Sequence, residues 1–95
     1  MLTIEHSITP DPGVIGTTLH DGETVLLHMG TRQYHSLNET GTYIWQLISE
    51  GRTLEEISRA LEARYDVSLD RAQSTVLELA SELVAANLAQ MNDSR

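Results

Sequence analysis

A chain of 95 residues with 40% hydrophobic content supports one globular domain with a modest core and is not a disordered segment. Fourteen acids against six cations leave a net charge of −8, and the six are all arginine, scattered from Arg32 to Arg95; a phosphate backbone would be repelled, and a peptide or protein partner is favoured. The absence of Cys removes disulfides, thiolate metal sites and Cys nucleophiles and agrees with a cytoplasmic location, while no run approaches the ~18 apolar residues of a membrane span.

Residues 1–13 read as an N-terminal arm. It lacks a basic stretch followed by an apolar one, so it is not a signal peptide. Leu2 and Ile4 have the pattern of a short edge strand, which Pro10, Asp11, Pro12 and Gly13 stop. Residues 14–20 (VIGTTLH) are rich in β-branched side chains, and residues 23–29 (ETVLLHM) are their expected partner. Between them Asp21-Gly22 predicts a hairpin with a type I′ turn. A second short turn at Gly30 and Thr31 leads to a third strand over 33–36, so the strands form an antiparallel meander.

The junction of sheet and helices falls at Leu37–Asn38. Asn38 is a good N-cap, and Glu39 suits the positive end of the helix that it opens. That first helix is expected over 39–50, ending at Gly51 in the left-handed conformation. Thr53 and Glu56 form a capping box for the second helix, whose Leu54, Ile57, Leu61 and Tyr65 share one face. The third helix, the longest, is expected over 70–86, with Leu88 to Met91 a brief extension and residues 92–95 a frayed tail. Strands followed by helices, with no internal repeat, read as α+β: a three-stranded antiparallel sheet followed by three helices that pack on one of its faces.

The apolar arc of the third helix spans roughly 200°, about twice the stripe that a helix packed on one side requires. Two readings stand: a central helix clamped on both flanks, or a helix that presents apolar surface to a groove. The strand over 33–36 supplies a matching feature, because the outer strand of a meander has an edge on which another strand can add. If that edge runs beside the third helix, the two enclose a cleft suited to an extended peptide. The alternatives are an edge covered by the N-terminal arm, or one protected by its shortness. Tyr34 is expected either on the covered face of the sheet or toward an added strand, and Trp45 in the core.

Motifs for chemistry are missing. His6, His20, His28 and His35 have no i, i+4 helical pairing, no Cys and no HExxH, so no metal site is expected. No Ser sits in a GxSxG elbow, and the glycines form no phosphate loop. Acid pairs such as Glu55–Glu56 fall on a solvated helix face.

The segments VLLHMGTRQYHSLNETGTYIWQLI, GRTLEEISRALEARYDV and RAQSTVLELASELVAANLA, in this order and spacing, resemble the PqqD-like proteins. These are recognition elements for ribosomally made, post-translationally modified peptides. The resemblance covers residues 14–91 and implies a winged-helix-turn-helix-like fold that binds the leader of a precursor peptide as a fourth strand, between the third strand and the third helix. By position the strand wall is Arg32, Gln33, Tyr34, His35, Ser36 and Leu37, and the helix wall is Val76, Leu79, Ala80 and Leu83. A charge at Leu83 is then expected to abolish capture while the sheet still forms. The small size looks most like the recognition proteins of lasso-peptide clusters, which deliver the leader to a separate cysteine protease and then to a cyclase. Synthesis of the quinone cofactor PQQ, where a radical SAM enzyme receives the peptide, is the alternative within the family.

The implied role is binding without catalysis and without a cofactor, by a monomer or by a weak homodimer through the strand edge. A winged-helix DNA-binding regulator shares the architecture, but its recognition helix is basic, whereas here Arg71 stands against Asp70, Glu78 and Glu82. A small enzyme is the remaining rival, and it lacks a site.

Overall fold

The computed structural model describes residues 6–92. Along the chain lie β1 (Ser7–Pro10), β2 (Val14–Thr18), β3 (Thr24–His28), β4 (Tyr34–Leu37), α1 (Glu39–Ser49), α2 (Leu54–Tyr65), α3 (Leu69–Ala85) and β5 (Ala89–Asn92). Strands β2, β3 and β4 form the antiparallel meander in that order, with Leu26 opposite Gly16 on one side and His35 on the other. Side chains alternate across it. Thr24, Leu26 and Leu37 are buried against the helices, while Ile15, Leu27 and Tyr34 form a cross-strand row on the exposed face.

The first hairpin differs from the expected type I′ turn. Leu19 N–H bonds to the Glu23 carbonyl and Gly22 N–H to the Leu19 carbonyl, so the loop holds three residues, of which only Gly22 has positive φ (87°). A three-residue loop of this kind places its left-handed residue last, where glycine suits it. Asp21 instead accepts the Glu23 N–H on its carboxylate.

The helix ends follow their caps. Asn38 Oδ1 accepts the Gly41 N–H at 2.8 Å, and Thr53 and Glu56 form the reciprocal capping box. Gly51, at φ 86°, ends α1 with N–H bonds from Gly51 to Ile48 and from Arg52 to Leu47, the paired arrangement of a Schellman motif. Asn87, at φ 62°, ends α3 in the same way, with Asn87 bonded to Val84 and Leu88 to Leu83.

Beyond Asn87 the chain is not a helical extension. Residues 89–92 are strand β5, which pairs antiparallel with β1, Ile8 opposite Met91. Ile8 is buried to 1% exposure in the hydrophobic core cluster, which Leu88 and Ala89 also join. The stretch expected as an arm therefore ends in a ribbon that joins the two ends of the described chain. The suggested edge strand at Leu2 and Ile4 lies outside the described residues, as do residues 93–95 of the expected tail.

Within the cluster, α3 contributes Ala72, Val76, Ala80 and Leu83, spaced at helical period. The two alanines allow close approach, and Ile57 and Leu61 of α2 and Ile44 and Ile48 of α1 complete the centre. Trp45 is half-buried against this cluster. Its indole lies over Gly16, where an added Cβ would stand 3.4 Å from Trp45 Nε1 and 3.3 Å from Leu26 Cδ2.

Candidate functional site

Strand β4 pairs on one side only among the described residues, because β1 joins β5 and leaves this edge open. Its hydrogen-bonding phase follows from one bond. His28 N–H donates to the Gln33 carbonyl, so Gln33, His35 and Leu37 turn their backbone groups toward β3. Tyr34 and Ser36 turn theirs to the open edge. The same alternation puts the side chains of Tyr34 and Ser36 on the exposed face and those of His35 and Leu37 on the face toward the helices.

Across from this edge runs α3. Between them is a groove of about 430 Å³, walled by His35, Ser36 and Leu37 on the strand side and by Thr75, Glu78, Leu79 and Glu82 on the helix side. Ile44 and Gly41 of α1 close its floor, and Glu23 stands at its rim. His35 Nε2 lies 4.0 Å from Glu82 Oε1 across it. A second hollow of about 440 Å³ adjoins it beyond the end of β4, sharing Asn38, Thr40 and Thr75 and reaching Leu61, Val67 and Arg71.

The structure brings His35, Ser36, Leu37 and Leu79 together in this groove. Tyr34 does not line the groove: its main chain faces the open edge beyond it, and its side chain is on the other face of the sheet, the residue 72% exposed. Arg32, at φ 66°, and Gln33 are exposed in and after the turn and do not line the groove. The helix wall differs from the expected one: Val76, Ala80 and Leu83 are 0% exposed. They form the centre of the apolar arc and are consumed by the core, so the groove meets only the Leu79 flank. Leu77 and Val84, on the opposite flank, are themselves half-buried against the cluster. Thr75, Glu78 and Glu82 lie outside the expected set, although their i, i+3, i+7 spacing with Leu79 among them marks one helix face.

The groove is acidic. Glu23, Glu78 and Glu82 line it, and none of the arginines among the described residues does. No group of three or more metal-ligating side chains occurs among the described residues. His28 has a structural position. Its Nδ1 accepts the N–H groups of Gly30 and Thr31 at 3.0 and 3.2 Å, which places the ring proton on Nε2, 3.2 Å from Asp11 Oδ1. The Asp11 carboxyl is held below its ordinary value, first by the Gly13 N–H that it accepts, and also by Gln90 and His28. No helix of the described residues is long and apolar enough to cross a membrane.

The family model described as coenzyme PQQ synthesis protein D (PqqD) matches residues 23–89. Among solved structures, TbiB1 in complex with the TbiA(beta) leader peptide is 29% identical and superposes with a TM-score of 0.80 over 92% of this chain and 98% of that one. Lasso peptide synthetase B1 complexed with the leader peptide shares the fold, with a TM-score of 0.80 at 23% identity over 87% of this chain and 96% of that one. No curated protein sequence matches the chain.

Proposed function

Because the chain belongs to the PqqD family, we propose that it is a recognition element that captures the leader of a ribosomally made precursor peptide as a strand added to β4. The observation that carries this reading is the open edge of β4 facing α3 across a groove, with the main-chain groups of Tyr34 and Ser36 turned to that edge. Main-chain hydrogen bonds supply affinity that tolerates many sequences, and the walls select alternate side chains. The complex of TbiB1 with a leader peptide, at 29% identity, supports the same role here.

In this proposal residues 14–91 are the recognition domain, to whose core β1 adds Ile8, and the chain carries out no chemistry of its own. It raises the local concentration of the peptide core at a modifying enzyme. A lasso-peptide leader protease is the favoured enzyme, given the likeness to TbiB1. The description of the family model favours a second reading, delivery of a peptide to a PQQ-synthesis enzyme.

The test is an amide-shift titration of labelled protein with the cognate leader peptide. Shifts centred on Tyr34, Ser36 and the Thr75–Glu82 face are expected. Saturating peptide that leaves those amides unmoved would overturn the assignment.

A further inference from the structure

The added strand has a determinable side-chain pattern. Its residues opposite Tyr34 and Ser36 would share the exposed face with those side chains, and its residues opposite His35 and Leu37 would face inward toward α3. The inward position opposite Leu37 meets Leu37, Ile44 and Leu79. The inward position opposite His35 lies beside Glu82, whose carboxylate is 4.0 Å from His35 Nε2.

That second position is electrostatically unbalanced. Glu78 and Glu82 are four apart on one helix face, a like-charge spacing that disfavours the helix. Among the described residues the side-chain carboxylates of Glu78 and Glu23 have no hydrogen bond or ion pair, and that of Glu82 has only the long contact to His35. Arg71, the nearest cation on α3, lines the adjoining hollow and not this groove. Apart from the long His35 contact to Glu82, no wall residue among the described ones faces these carboxylates with a cation, so the neutralising charge is left to the occupant.

We propose that the captured strand carries a lysine or arginine on its inward side beside Glu78 and Glu82, two residues from an apolar side chain that packs on Leu79 and Ile44. This rests on the strand-capture reading above and adds the chemistry of the peptide. A cation there gains charge-assisted hydrogen bonds in a partly enclosed site. An acidic residue is repelled, so the same carboxylates also reject wrong peptides.

The experiment is a selection from a random peptide library on the intact chain, with amide shifts to locate each enriched peptide. Peptides that shift Tyr34 and Ser36 are expected to carry the basic residue two positions from an apolar one. Replacing that residue with Gln should weaken binding about tenfold, as loss of a charge-assisted hydrogen bond does. The Glu78→Gln/Glu82→Gln double variant, its fold checked by circular dichroism, should lose that discrimination. Groove-bound peptides with no basic enrichment, or an equal Gln penalty on both proteins, would overturn the charge assignment and leave strand capture standing. A selection in which no enriched peptide shifts Tyr34 and Ser36 would overturn both.

Discussion

His35 Nε2 stands 4.0 Å from Glu82 Oε1, a contact that spans the groove from β4 to α3. Both side chains are partly open to solvent, at 33% and 55%, so screening leaves the pair little weight in folding. Glu82→Gln is expected to change the unfolding free energy by less than about 1 kcal/mol in a urea titration. In this arrangement Glu82 is available to an incoming group, and the substitution is expected to act on peptide affinity far more than on stability.

The phase of β4 separates two backbone substitutions one residue apart. Ser36→Pro removes an N–H that faces the open edge and leaves the β3 ladder intact, whereas His35→Pro removes one that faces β3. The Ser36 variant is expected to stay folded and lose peptide binding by calorimetry. The His35 variant is expected to lower the melting temperature by several degrees, since about 1 kcal/mol shifts a domain of this size by roughly 4–8 °C.

A charge on α3 is expected to act in two opposite ways according to position. Leu83, 0% exposed, is part of the core, so Leu83→Asp buries a carboxylate and removes packing. The packing loss alone is about 2–5 kcal/mol, a large share of the roughly 5–15 kcal/mol that holds a domain together. The expected outcome is loss of the cooperative thermal transition, not a folded variant without binding. Leu79→Asp, on the groove wall, is expected to keep that transition and abolish capture, read by circular dichroism and calorimetry on one sample.

Asp11 ties three parts of the chain together through the Gly13 N–H at 2.8 Å, His28 Nε2 at 3.2 Å and Gln90 Nε2 at 3.2 Å. Its carboxyl is lowered on folding from the ordinary 3.8, so its contribution is present above that value and lost as pH falls through the lower folded one. Asp11→Asn is therefore expected to be less stable than the parent at neutral pH, with the gap closing below about pH 4. Urea midpoints at a series of pH values measure it.

Much of the fold is written locally. Asn38, the Thr53–Glu56 pair and Gly51 act within one turn of their own positions, and the meander follows from two short connections. The β1–β5 ribbon is not local: Ile8 meets Met91 from the far end of the chain, and neither four-residue strand has a periodicity long enough to announce itself. The groove was half legible. An open edge follows from strand order, but the width of an apolar arc does not say which part of it the core consumes. Val76, Ala80 and Leu83 went inward because Ala72 and Ala80 let α2 pack close, and a mixed polar flank was left for the groove.

The alternation at Tyr34 and Ser36 has an evolutionary consequence. Their main-chain groups face the edge used in the proposed capture, and their side chains stand on the outer face beside Ile15 and Leu27. Mutational drift at these two positions can remodel the outward surface without altering the hydrogen-bonding template beneath it. Leu79, Glu78 and Glu82 line the opposite wall, where in the proposed capture changes would act on the inward residues of the peptide while that surface stays constant. In the proposed capture the outer face at Tyr34 and Ser36 and the helix wall at Leu79, Glu78 and Glu82 would thus meet alternate residues of the same added strand.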